Sequence, residues 1–177
     1  MDIELTPQDI WLSTLVFVTL DLVVLVPLLL LFRGDVFVRS HISIGLASAL
    51  FWGVLATTAI IGFWGLYYQY IFPTWMRWLA PLDAVLYALI GLAMWWLCIR
   101  LPGSSVLWFI LLGGFEGIAE HLMGIYVFRI LEKVPWLQGI TPFQAVVFSF
   151  FEYIFYWALV AGLAFILIKI GSLIAGR

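Results

Sequence analysis

Apolar residues dominate five stretches of this chain, each roughly 20 residues or longer, the length that crosses the hydrocarbon core of a bilayer. No water enters that core to satisfy backbone N–H and C=O groups, so a spanning segment must be a helix or part of a closed barrel. The stretches are continuously apolar rather than alternating, which predicts helices. The expected architecture is all-α: a polytopic membrane protein built as a bundle of five transmembrane helices. The spans fall at about 8–32, 42–66, 81–100, 105–131 and 142–169, within a single integral membrane domain covering 1–177. Composition agrees, with 66% hydrophobic residues and 10% charged, where a soluble domain has about half and a quarter.

Helix-start signals fit these spans. Thr6-Pro7-Gln8-Asp9 and Thr141-Pro142-Phe143-Gln144 each read as Thr at the N-cap, Pro at the first helical position and an acceptor two residues later. Pro81 suits the first turn of the third helix, and Asp83 then lies where a negative charge favours a helix N-terminus. The start, Met1-Asp2-Ile3-Glu4, is acidic and unlike the positive leader of a signal peptide, so the first apolar segment is expected to be retained. Tyr67, Tyr68, Tyr70, Trp75 and Trp78 suit an interfacial aromatic belt.

Five spans place the ends of the chain on opposite faces. One face carries Arg33, Arg39, Arg100, Lys169 and Arg177; the other carries Arg77, Arg129 and Lys133 together with Asp2, Glu4 and Asp9. The basic excess predicts the first face as cytoplasmic, with the N-terminus outside and the C-terminus cytoplasmic. The net charge of −2 and the lack of a basic block give nucleic-acid binding no electrostatic footprint. One cysteine, Cys98, excludes an internal disulfide.

Against this apolar background stand Asp21, Glu116, Glu120, His121 and Glu152. An acid at mid-bilayer costs roughly 2.5–3.5 kcal/mol and marks a functional site by default. Glu116 and Glu120 are four apart, so their side chains share a helix face with Cβ atoms about 6 Å apart. Two carboxyls that close in a low dielectric do not both ionise without a cation. Ser149, Glu152, Tyr153 and Tyr156 form a polar stripe on the fifth span. The sequence therefore predicts Glu116, Glu120, His121 and Glu152 as catalytic residues, with Asp21, Ser149, Tyr153 and Tyr156 as binding residues.

Three function classes are compatible with that site, beside a structural subunit of a membrane complex. Glu116, Glu120, His121 and Glu152 could ligate a divalent transition metal, whose charge would balance the acids. The Glu-x-x-His spacing of di-iron bundles is absent, so that reading rests on charge balance. The second class is metal-free acid–base chemistry on a lipid-like substrate arriving from the bilayer. The third is a proton- or cation-coupled transporter or channel subunit, for which so small a chain would form a homo-oligomer. No Gly-x-Ser-x-Gly, His-Glu-x-x-His, phosphate-binding glycine loop or Cys-x-x-Cys occurs. Gly113, Gly114, Gly117 and Gly124 surround the acids of the fourth span. They predict close helix packing, room for a ligand beside Glu116 and Glu120, or both. Gly45, Ala49 and Gly53 on the second span predict packing alone.

Overall fold

The computed structural model describes residues 10–31, 44–60 and 80–176. The Thr6-Pro7 start, the turn after the first span and the aromatic segment from Tyr67 to Trp78 lie outside the described residues. The remainder is helical, without a strand among the described residues. In chain order the helices are α1 (Ile10–Leu31), α2 (Ile44–Ile60), α3 (Ala80–Cys98), α4 (Ser105–Leu122) and α5 (Pro142–Ile174). Three segments are long and apolar enough to cross a membrane: Ile10–Leu28, Ser105–Val127 and Pro142–Ile174. The helices of the second and third expected spans are apolar but shorter over their described extents.

The start of α5 agrees closely with the sequence signal. Thr141 Oγ1 accepts from Gln144 N at 3.3 Å, Gln144 Oε1 accepts from Thr141 N at 2.9 Å, and Pro142 occupies the first turn. This reciprocal cap satisfies two orphan donors. Gly139, at φ 69°, supplies the left-handed residue that turns the chain into it. From there α5 runs 33 residues, about 50 Å, and forms the spine of the bundle.

The other helices take their directions from contacts with α5. Trp11 lies beside Phe143, Phe17 beside Phe148, and Leu28 beside Gly162, so α1 runs parallel to α5. Gly53 meets Val160 and Thr58 meets Tyr156, so α2 is antiparallel. Tyr87 pairs with Tyr153 and Gly91 with Trp157, so α3 is parallel. Gly113 faces Trp157 and Gly117 faces Tyr153, so α4 is antiparallel. Successive helices therefore alternate in direction.

The fourth expected span, 105–131, ends earlier than its apolarity suggests. α4 passes at Met123 into a π-helical turn, Met123–Val127. Arg129 adopts the left-handed conformation at φ 55°, and Ile130 N donates to Gly124 O at 2.9 Å, closing the helix end. An Arg in that conformation costs about 1 kcal/mol. Burial of the residues beyond it offsets that cost. Two short 3₁₀ turns, Leu131–Lys133 and Pro135–Leu137, fold back and bury Leu131, Val134, Trp136 and Leu137 against Ile10, Ile125, Ala145 and Phe148. The apolar residues at the end of that stretch thus cap one end of the bundle instead of extending a helix.

Candidate functional site

The site is built where α4 lies against α5. Two glycines on α4 act as sockets for aromatic rings from α5. A Cβ at Gly113 would lie 2.0 Å from Trp157 Cδ1, and one at Gly117 would lie 2.2 Å from Tyr153 Cγ. Only a glycine admits such an approach. The space left by the missing side chains of Gly113 and Gly117 is occupied by the rings of Trp157 and Tyr153, as close helix packing requires. Trp157 also packs over Gly91 and sits edge-on to Phe109 at 5.2 Å.

The polar tips of these rings reach the carboxyls one turn away. Trp157 Nε1 donates to Glu116 Oε2 at 3.3 Å. Tyr87, on α3, donates its hydroxyl to Glu120 Oε2. The Tyr87 and Tyr153 hydroxyl oxygens lie 2.6 Å apart. Because the one Tyr87 proton is committed to Glu120, Tyr153 is the donor of that pair. The chain of donors therefore runs Tyr153 to Tyr87 to Glu120. Glu116 and Glu120 lie one turn apart on the same face of α4.

One turn further, His121 is fully enclosed between Phe148 and Tyr153, with ring centroids at 5.9 and 5.5 Å. Its Nδ1 lies 3.2 Å from Gly117 O and its Nε2 lies 3.1 Å from Glu152 Oε2. A carbonyl only accepts, so Nδ1 carries a hydrogen. The ring stands by register opposite Ser149, a small residue, reversing the arrangement of small α4 and large α5 residues at the two sockets.

The structure thus brings Glu120 and Tyr153 into one hydrogen-bonded network, with Glu116 one turn away, and pairs His121 with Glu152. Tyr156 is directed elsewhere: Thr58 Oγ1 donates to Val54 O at 2.8 Å and lies 3.2 Å from the Tyr156 hydroxyl, which is therefore the donor between them. Ser149 donates to Ala145 O on its own helix at 2.6 Å. Asp21 is buried at 4% exposure, and neither carboxyl oxygen has a hydrogen-bond partner among the described residues. The nearby hydroxyls of Thr14 and Thr19 bond to Ile10 O and Leu15 O on their own helix. Among the described residues, no three His, Cys, Asp or Glu side chains converge as a set of metal ligands. The donor atoms of Glu116, Glu120, His121 and Glu152 are instead engaged in pairs and with neutral donors.

Tyr87, Trp157 and Thr58 are not among the residues that sequence reasoning selects. Tyr87 carries a signal, being the one hydroxyl between Asp83 and Cys98. Trp157 carries none, because a tryptophan in an apolar helix reads equally well as core or as lipid-facing. Comparison with known proteins gives no match: no family model, no curated protein and no solved structure is similar to this chain.

Proposed function

We propose that this chain is a membrane-embedded acid–base enzyme acting on a lipid-like substrate, with Glu116 and Glu120 as the groups that exchange protons with it. The observation that carries the reading is the relay from Tyr153 through Tyr87 to Glu120, with Glu116 one turn away on the same helix. Among the described residues the donors to both carboxyls are neutral, which suits groups that hold and exchange a proton. Both glutamates are half-buried, whereas the neighbouring His121–Glu152 pair is enclosed, so the glutamates are the more accessible of the two groups.

The depth of the site favours this reading over conduction. The α5 side chains that reach the carboxyl network and His121 lie between Glu152 and Trp157, a layer about 7.5 Å thick. One side holds the apolar cluster of Leu46, Leu50, Trp95, Phe109 and Ile110, and the other holds the cap built on Ile125, Leu131 and Val134. A conducting path would need polar groups through about 30 Å.

Five membrane spans, an outside N-terminus and a cytoplasmic C-terminus belong to the same proposal. The parallel course of α1 and α5 supports an odd number of crossings. Arg100 stacks on Trp96 at 3.4 Å, Trp108 Nε1 donates to Pro102 O at 2.7 Å, and Lys169 lies 5.6 Å from the Phe165 ring centroid. Trp and basic residues gathered at one end suit a headgroup boundary, and the basic ones suit its cytoplasmic side. Reporter fusions at the two termini test the orientation: reporters on the same side would refute it.

The activity is tested by expressing wild-type chain and Glu120→Gln at equal levels and comparing total lipid extracts by mass spectrometry. The expected result is one lipid class changed by the wild type and unchanged by the variant. Identical extracts, combined with proton uptake by vesicles containing purified wild type, would reject the enzyme reading in favour of transport.

A further inference from the structure

Glu116 and Glu120 sit at equivalent positions one turn apart, yet their hydrogen bonds differ in kind. Glu120 accepts from the Tyr87 phenol, and Tyr87 in turn accepts from Tyr153, so two hydroxyl dipoles are aligned toward one carboxyl. Hydrogen bonds in such a chain polarise and strengthen one another, most of all when they end on a charge. Glu116 accepts from the Trp157 indole at 3.3 Å, a long bond from a donor with no such chain behind it. Two carboxyls one turn apart on one helix face in a low dielectric do not both ionise without a cation.

We infer that the two glutamates divide the labour: Glu116 keeps the proton, and Glu120, which the tyrosine chain serves, carries the negative charge. The assignment rests on the acid–base reading above, and it makes Glu116 the proton donor to substrate and Glu120 the acceptor. Tyr87 is the positioning residue that fixes the split, because it touches the base and is itself held by Tyr153. The other ionisable or hydroxyl groups around the pair are consistent with it. From α4 comes His121, committed to Glu152; from α5 come Glu152, Tyr153 and Tyr156; from α3 come Asp83, one turn from Tyr87, and Tyr87 itself; from α2 comes Thr58, bonded to Tyr156. None of these brings a Lys or Arg charge that would hold both carboxylates.

Infrared difference spectroscopy on purified protein at neutral pH tests the assignment, because protonated and ionised carboxyls absorb in separate bands. Glu116→Gln is expected to lose the protonated-carboxyl band of the pair and keep the carboxylate band. Glu120→Gln is expected to keep the protonated band and lose carboxylate intensity. Tyr87→Phe, which retains the ring, is expected to shift and broaden the protonated band as the proton spreads over both glutamates, while Trp157→Phe leaves it nearly in place. The thermal midpoint of each variant confirms that the protein observed is folded. The opposite pattern, with Glu120→Gln removing the protonated band, would overturn the assignment while leaving the acid–base reading intact. A protonated-carboxyl band unaltered in both glutamine variants would overturn the shared proton altogether. The lipid comparison above fails or succeeds independently of either result.

Discussion

Gly117→Ala places a methyl group where Tyr153 already stands. The added carbon would lie 2.2 Å from Tyr153 Cγ, 2.5 Å from its Cβ and 2.6 Å from its Cδ2. Ordinary carbon contact is about 3.5 Å, so the ring must retreat by about 1.3 Å. The atoms that clash are at the root of the side chain, so α4 and α5 must separate. Overpacking of this kind costs about 1–3 kcal/mol. A retreat of that size also carries the Tyr153 hydroxyl out of reach of Tyr87, now at 2.6 Å, and forfeits about 1 kcal/mol more. Better helix propensity of Ala returns about 1 kcal/mol, leaving a net loss of about 1–3 kcal/mol. Gly53→Ala is the matched control. Its added carbon would meet the backbone carbonyl Val160 O at 2.8 Å, so α2 and α5 must part by about 0.6 Å, about half the movement at Gly117, and the propensity gain offsets part of the smaller cost. Thermal unfolding in detergent should rank Gly117→Ala well below Gly53→Ala. Ultraviolet resonance Raman spectra should show changed tyrosine hydrogen bonding only in Gly117→Ala. Equal stability losses in the two variants, with unchanged tyrosine spectra in both, would refute the socket account.

Local geometry sets two further outcomes. Thr141→Ala removes the side chain that accepts from Gln144 N and should destabilise the start of α5 by about 1 kcal/mol; faster amide exchange over residues 143–146 checks it, and unchanged exchange counts against the cap. Asp21→Asn removes an ionisable group with no hydrogen-bond partner to lose among the described residues, so its thermal midpoint should equal or exceed that of the wild type, whereas a large drop would reveal a partner essential to folding.

How much of this could be read in advance differs from one residue to the next. Thr141, Pro142 and Gln144 announced the start of α5 because capping is a local matter, settled within four residues. Apolar length announced the helices for the same reason. The π-helical turn at Met123 was invisible, since the residues beyond it stay apolar and only their burial under the bundle end distinguishes a cap from a continued helix. Glu116, Glu120, His121 and Glu152 stood out through the expense of placing them in a bilayer. Their partners did not, because which ring meets which carboxyl depends on register between helices, and no single helix encodes that alone. Ser149 shows the converse: its spacing placed it on the polar stripe, yet its hydroxyl is satisfied by Ala145 O one turn back.

Packing and chemistry share the same residues here. Along α4 the order is Gly113, Glu116, Gly117, Glu120: each glycine receives a ring, and the glutamate three residues later lies toward that ring's polar tip, directly for Trp157 and through Tyr87 for Tyr153. On α5 the two rings are four residues apart, matching the spacing of the sockets. A substitution at a glycine therefore disturbs fold and network together, and the two are separated only by altering the rings. Tyr153→Phe leaves the ring in the Gly117 socket and deletes the hydroxyl that donates to Tyr87. It should cost about 1 kcal/mol, less than Gly117→Ala, while weakening the relay to Glu120 by the same broken link. Purified Tyr153→Phe should therefore unfold near the wild-type temperature yet show the shifted and broadened protonated-carboxyl band expected of Tyr87→Phe. If Tyr153→Phe is instead as unstable as Gly117→Ala and its infrared bands are those of the wild type, the hydroxyl is holding helices together and the relay has no part in placing the proton.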